Sequence, residues 1–169
     1  GNGFDNIGDV LSLSPLHLEQ YLAAAEEIAR RAIYVPQIAR IQIEASEMRP
    51  EGGISNQDEG SMFYANGFLR KDLTLAAGRY RLAIRASGMQ AGPDLPRMAV
   101  LLDGKVLQAI DIGAVRTKPS VYELPLEITT GGNHTLAVAF VNDYYQPNDP
   151  DPNQRDRNLL VYNVVVTGP

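Results

Sequence analysis

Asn142-Asp143-Tyr144-Tyr145 is followed, after ten intervening residues, by Asp156-Arg157-Asn158, so two clusters of oxygen-bearing side chains stand beside aromatic rings. Calcium takes about six to eight hard oxygen ligands at about 2.3–2.6 Å, mixing carboxylates, amide or backbone carbonyls and water. Asp143 and Asp156, joined by Asn142 or Asn158, offer that mixture. With two coordination positions left open, adjacent hydroxyls of a pyranose can replace two waters, and recognition would then depend on diol geometry. Tyr144 or Tyr145 can stack on the apolar face of a sugar, and Arg157 can orient Asp156 or donate to a sugar oxygen. The plainer reading is turn chemistry, since Asp-Pro loops and Asn-Asp pairs before an aromatic are also common solvated turns.

The connecting run Gln146-Pro147-Asn148-Asp149-Pro150-Asp151-Pro152-Asn153-Gln154-Arg155 cannot continue a sheet ladder, because prolines lack the donor and its other residues favour turns. Apolar, strand-like runs flank it, His134 to Val141 before and Leu159 to Val166 after. Period-two alternation recurs in Arg40 to Ala45, in Tyr80 to Ala86 and in Tyr122 to Ile128. Met98 to Leu102 and Lys105 to Ile112 flank Asp103-Gly104, a dipeptide suited to the positive φ angles of a two-residue hairpin turn. Gly131-Gly132 turns the chain into Leu136, Val138 and Phe140, and Met62 to Leu75 holds one or two further strands. About eight strands without intervening helices predict a mainly β fold, an antiparallel jelly-roll β-sandwich.

One amphipathic helix precedes it. Ser14-Pro15 reads as an N-cap with proline at the first helical position, and Leu18, Tyr21, Leu22, Ala25, Ile28, Ala29 and Ala32 recur at helical spacing. Val35-Pro36 breaks the pattern. The expected organisation is a helical segment over 1–34, the end of a preceding domain, and a sandwich over 35–169. With 169 residues, 44% of them hydrophobic, the chain can bury one sizeable core. A net charge of −5 with singly scattered basic residues argues against nucleic acid as partner. No apolar run approaches the roughly 18 residues of a membrane span, so no direct membrane insertion is expected. The absence of cysteine excludes disulfides, thiolate zinc sites and a cysteine nucleophile.

Gly78 to Gly88, Pro96-Arg97-Met98 with Asp103-Gly104, and Phe140 to Tyr145 with Asp156 to Leu159 together resemble carbohydrate-binding module family 60, itself similar to the family 36 modules in a permuted topology. The resemblance covers about Ile38 to Val166. It implies a β-sandwich in which a loop-held calcium ion binds vicinal hydroxyls of xylan and related β-glycans. Two positions depart from the pattern. Leu95 stands where a tryptophan is common, and the last strand reads Leu159-Leu160-Val161-Tyr162 where a carboxylate often replaces Tyr162. Glu44 and Glu47 resemble the early acidic edge of modules with a second, structural calcium. The run Gly3 to Pro15 resembles the end of a domain of unknown function in very large multidomain cytochrome c proteins of planctomycetes. That likeness implies an exported protein with a periplasmic or cell-surface setting, and neighbouring domains of the parent protein as partners.

The leading expectation is a non-catalytic, calcium-dependent module that tethers a larger exported protein to polysaccharide. The alternative is a structural domain that docks on its neighbours without binding sugar. An enzyme is not expected: no Ser-His-Asp arrangement is visible, and only Glu44 with Glu123 or Glu127 offers a glycosidase-type carboxylate pair.

Overall fold

The computed structural model describes residues 14–32 and 38–169. The run from Gly3 to Leu13 and the Val35-Pro36 break lie outside the described residues. The chain divides into two compact units, residues 1–37 and 38–169.

In the first unit, α1 (Pro15–Ala32) begins as its sequence predicts. Ser14 Oγ accepts from His17 N at 3.3 Å, and Ser14 O accepts from Leu18 N at 3.1 Å. One helix has no core of its own to enter, and Leu18, Tyr21, Leu22 and Ile28 are exposed. Among the described residues, no helix is long and apolar enough to cross a membrane.

The second unit is a mainly β, jelly-roll-like sandwich. Its strands are β1 (Arg40–Glu44), β2 (Arg49–Gln57), β3 (Gly60–Leu75), β4 (Gly78–Met89), β5 (Arg97–Leu102), β6 (Lys105–Asp111), β7 (Ser120–Ile128), β8 (Gly132–Phe140), β9 (Tyr144–Tyr145) and β10 (Asp156–Thr167). One layer runs β1-β10-β4-β7 and the other β2-β3-β8-β5-β6, all pairs antiparallel. The layers are joined where the start of β3 (Ser61 to Phe63) pairs with Val161 to Leu159 of β10. Period-two alternation turns Leu82 and Ile84, Leu124 and Leu126, and Val164 and Val166 inward against Leu69, Val100 and Val138 of the facing layer. Each such side chain, fully buried, stabilises by about 1.5–3 kcal/mol. Phe63 and Phe140 meet edge to face at 6.4 Å between ring centres.

The Asp103-Gly104 turn adopts the predicted form, with φ of 50° and 79° and Leu102 opposite Lys105. Met62 to Leu75 lies within one strand, β3. The sequence reading missed two strands. Pro50 and Gly52-Gly53 interrupt any strand pattern in β2, yet as an edge strand it tolerates proline. Its bulge between Gly52 and Ile54 uses φ +101° at Gly52, where a Cβ would sit 2.8 Å from Asn66 O. β9 is too short to show a period.

A second bulge shapes β10. Val161 lies opposite Ala86 and Asn163 opposite Arg85, leaving Tyr162 as the inserted residue. The insertion shifts the inward set from Leu159 and Val161 to Val164 and Val166. It also buries Tyr162 outside the main core with Met62 and Leu160, its hydroxyl 3.0 Å from Ser87 Oγ and its ring under Arg85. Tyr162, at the position where a carboxylate was the common residue, is thus a packed aromatic.

Candidate functional site

The two oxygen-bearing clusters come together because the loop between them closes on itself. β9 pairs with the start of β10, Tyr145 opposite Asp156 and Tyr144 opposite Arg157. Within the loop, Asp149 Oδ1 accepts from Asp151 N and Asp151 Oδ1 from Asn153 N, both at 2.9 Å, and Arg155 Nε donates to Asp149 O at 2.7 Å. These acidic residues cap their own turns, so the prolines and aspartates of the loop shape it.

Alternation across this short ladder sorts the side chains. Asp156 and Asn158 share one face of β10, with Tyr145 opposite Asp156, while Asp143 precedes β9 and lies outside the paired residues. Arg157 and Tyr144 take the other face.

On the first face, Asn158 is 3% exposed. Its Nδ2 donates to Asp156 Oδ2 at 2.9 Å. That bond fixes which end of the amide is oxygen, because a flipped amide would set oxygen against carboxylate. Asn158 Oδ1 is then buried with no hydrogen-bond partner. An unpaired buried acceptor costs about 1–3 kcal/mol, so this atom lacks the partner its burial demands. Asp156 is half-buried, Asp143 is exposed and its backbone N–H donates to Asn66 Oδ1 at 2.9 Å, and Tyr145 is 66% exposed. Among the described residues, no three acidic or histidine side chains converge. The donor set is carboxylate and amide oxygen.

On the second face, Arg157 does not reach toward Asp156 or solvent, as its sequence position had suggested. It is 3% exposed, and its Nε and Nη2 both donate to Ala91 O, at 3.0 and 2.7 Å. Its Nη1 donates to Asn142 O at 2.8 Å. The guanidinium also lies 5.1 Å from the Tyr144 ring centre, with Asp94 Oδ2 at 3.9 Å. A long cationic side chain is here the pin between the loop after β4 and the chain entering β9. The Tyr144 ring packs on Gly92, whose φ of +67° and lack of a side chain admit it: a Cβ there would meet the ring at 2.8 Å.

Asn142, named with Asn158 as a candidate oxygen donor, has both ends of its amide engaged. Oδ1 accepts from Arg97 N at 2.6 Å and Nδ2 donates to Leu95 O at 2.9 Å. It braces the same loop, and Leu95 is half-buried there. The sequence reading missed Gly92, Ala91 and Gln154, whose Oε1 accepts from Gly92 N at 3.1 Å. Backbone partners of this kind leave no sequence signal.

The glutamate pair does not form. Glu44 stands on β1 and Glu123 and Glu127 on β7, at opposite edges of one layer. Three strand spacings, about 14 Å, separate their backbones. A glycosidase pair needs carboxyls about 5–9.5 Å apart.

Comparison with known proteins agrees with the architecture. A family described as a calcium-dependent, xylan-binding carbohydrate-binding module matches residues 81–169, and one described only as a protein of unknown function matches residues 1–34. No curated protein matches the chain. Among solved structures, the chain is similar to a family 36 carbohydrate-binding module of a multidomain xylanase from the hindgut metagenome of Trinervitermes trinervoides. There the TM-score is 0.61 and the identity 16%, over 78% of this chain and 98% of that one. A family 36 module in complex with calcium and xylotriose gives 0.57 and 16%, over 73% and 97%. A family 35 module from Clostridium thermocellum gives 0.54 and 11%, over 76% and 97%. At these identities the likeness is one of fold.

Proposed function

Since the chain belongs to the family of calcium-dependent, xylan-binding carbohydrate-binding modules, a family of non-catalytic binders, we propose that it binds xylan-like β-glycans through vicinal hydroxyls at the face carrying Asp156 and Asn158. The observation that supports this most is the unpaired, buried Asn158 Oδ1 beside the Asp156 carboxylate. A hard cation satisfies an amide and a carboxylate oxygen together, and these donor types suit calcium. Asp156 and Asn158 would hold the ion, and the exposed Asp143, next to Tyr144 in the chain, is the further carboxylate candidate. When bound, calcium supplies coordination positions that adjacent sugar hydroxyls can fill.

The remaining work falls to this chain's own groups. Tyr145, exposed beside Asp156, offers a ring to the apolar face of a sugar. Arg157 and Asn142 hold the flanking loops in place, so the face is organised before a ligand arrives. Titration calorimetry with xylo-oligosaccharides, in calcium and in chelator, tests the reading. Heat in calcium that vanishes in chelator supports it, and identical traces would refute it.

The first 34 residues match a family of unknown function. The further reading, that the module belongs to a larger, exported multidomain protein of the planctomycete cytochrome c kind held against polysaccharide outside the cytoplasm, rests on the resemblance of the run Gly3 to Pro15. A docking role has one observation in its favour, the exposed apolar residues Leu18, Tyr21, Leu22 and Ile28 of α1. The two roles are separable by glycan binding.

A further inference from the structure

A second concavity lies away from the loop site. A shallow groove of about 1230 Å³ lies on the outer face of the β1-β10-β4-β7 layer, and no residue of the loop site lines it. Alternation that sends Tyr80, Leu82 and Ile84 inward sends Arg79, Arg81, Ala83 and Arg85 outward along β4, and Arg40 stands on the same face of β1. Four arginines and one glutamate, Glu123, therefore line the groove, in a chain of net charge −5. Among the described residues, only Arg81 of these four has a carboxylate within ion-pair distance, Glu123 at 3.7 Å. Arg85 lies over the Tyr162 ring at 4.5 Å. The other acids of the face lie outside the lining: Glu44 accepts from Gln42 at 2.8 Å, and Glu127 is opposite Arg79 in register without pairing to it. The floor between the guanidinium groups is small or aliphatic, Ala83 and Val165.

We propose that this face is a second binding surface, for a polysaccharide bearing carboxylates, and that it works without calcium. A guanidinium presents a planar fork that matches a carboxylate with two parallel hydrogen bonds. Arg81 and Arg85 stand four residues apart on one strand, about 13 Å, so the groove addresses separated acidic groups on an extended chain better than one small anion. The choice of a glycan over another polyanion rests on the carbohydrate-binding reading above.

The test uses the whole chain in chelator at low ionic strength. The probes are a xylo-oligosaccharide carrying glucuronic acid and the same oligosaccharide with its carboxyl reduced. The acidic probe should bind and the reduced one should not, with affinity falling as salt rises. Arg79→Gln combined with Arg85→Gln should weaken binding about tenfold, the sum expected of two exposed charge contacts. Glu123→Gln, which frees Arg81, should strengthen it. Tyr145→Ala should leave it unchanged. Equal binding of the reduced probe, indifference to the arginine changes, or equal binding of a short DNA duplex would overturn the proposal. Loss of calcium-dependent binding to neutral xylo-oligosaccharide, read separately, would overturn the loop site and leave this face standing.

Discussion

The side-chain amide of Asn158 donates to the carboxylate of Asp156 at 2.9 Å, and in doing so it turns its own oxygen toward a buried position where nothing donates to it. In the absence of metal this arrangement costs stability, which gives a distinctive expectation. Asn158→Leu, similar in size, should leave the melting temperature in chelator equal to wild type or slightly higher, because it removes an unpaired acceptor worth about 1–3 kcal/mol. Wild type should gain about 2.7 kcal/mol at ~100-fold calcium over Kd. Asn158→Leu and Asp156→Ala should gain nothing. Melting curves with and without calcium check both halves.

Arg157 should tolerate no replacement. Arg157→Leu leaves the carbonyls of Ala91 and Asn142 without their donors, for a loss of about 3 kcal/mol or more in urea unfolding. Arg157→Lys carries the charge but lacks the fork that reaches both carbonyls, so it should recover only part of the loss.

The adjacent tyrosines should separate stability from binding. Tyr145→Ala should weaken calcium-dependent glycan binding by about 1 kcal/mol with an unchanged melting temperature, as loss of an exposed stacking ring would. Tyr144→Ala, which removes the ring packed between Gly92 and Arg157, should lower the melting temperature.

Gly92→Ala tests the same packing from the other side. A side chain at φ +67° costs about 1–2 kcal/mol, and its Cβ would displace the Tyr144 ring. Urea unfolding should show at least that cost.

His134 gives the pH dependence. Its Nδ1 faces Asp103 Oδ2 at 2.7 Å and its Nε2 faces Thr130 O at 2.9 Å, two acceptors that a ring satisfies fully only with both nitrogens protonated. The hydrogen bond to Asp103 raises the histidine above its usual 6.5, and the bond from His134 lowers Asp103 below its usual 3.8. The histidine's contribution is fully present below 6.5 and fades as pH rises through its higher folded value. The aspartate's is present above 3.8 and fades as pH falls through its lower one. Melting temperature should therefore fall as pH rises from 6 into the alkaline range. His134→Gln should remove that slope.

Alternating patterns made β1, β4, β7, β8 and the β5–β6 hairpin legible, because a half-buried strand writes its two faces into period two. β2 was hidden by Pro50 and Gly52-Gly53, which an edge strand tolerates and a central one would not. The loop site was legible as a set of residue types and not as a division of labour. Asp156 and Asn158, with Tyr145, fall on one face and Arg157, with Tyr144, on the other only through strand alternation and the register of β9 on β10. Asn142 and Arg157 look like ligands in the sequence because polar groups that brace backbone carbonyls are the same types that meet solvent. The arginine groove was invisible for the opposite reason. Arg79, Arg81 and Arg85 read in the sequence as the ordinary polar side of an alternating strand, and only sheet pairing adds Arg40 of β1 to their face and leaves it concave.

β10 is hydrogen-bonded to β1, β3, β4 and β9, and it bears Asp156 and Asn158 at its first turn away from the loop. Amide protons along Leu159 to Val161, held between β3 and β4 where the two layers join, should therefore exchange with the global unfolding free energy, while those from Asn163 to Val166 that bond to the edge strand β1 can also exchange when that edge frays. A cation held at the head of that strand would slow exchange along Leu159 to Val161, while amides in the loop from Gln146 to Arg155 would continue to exchange through local opening.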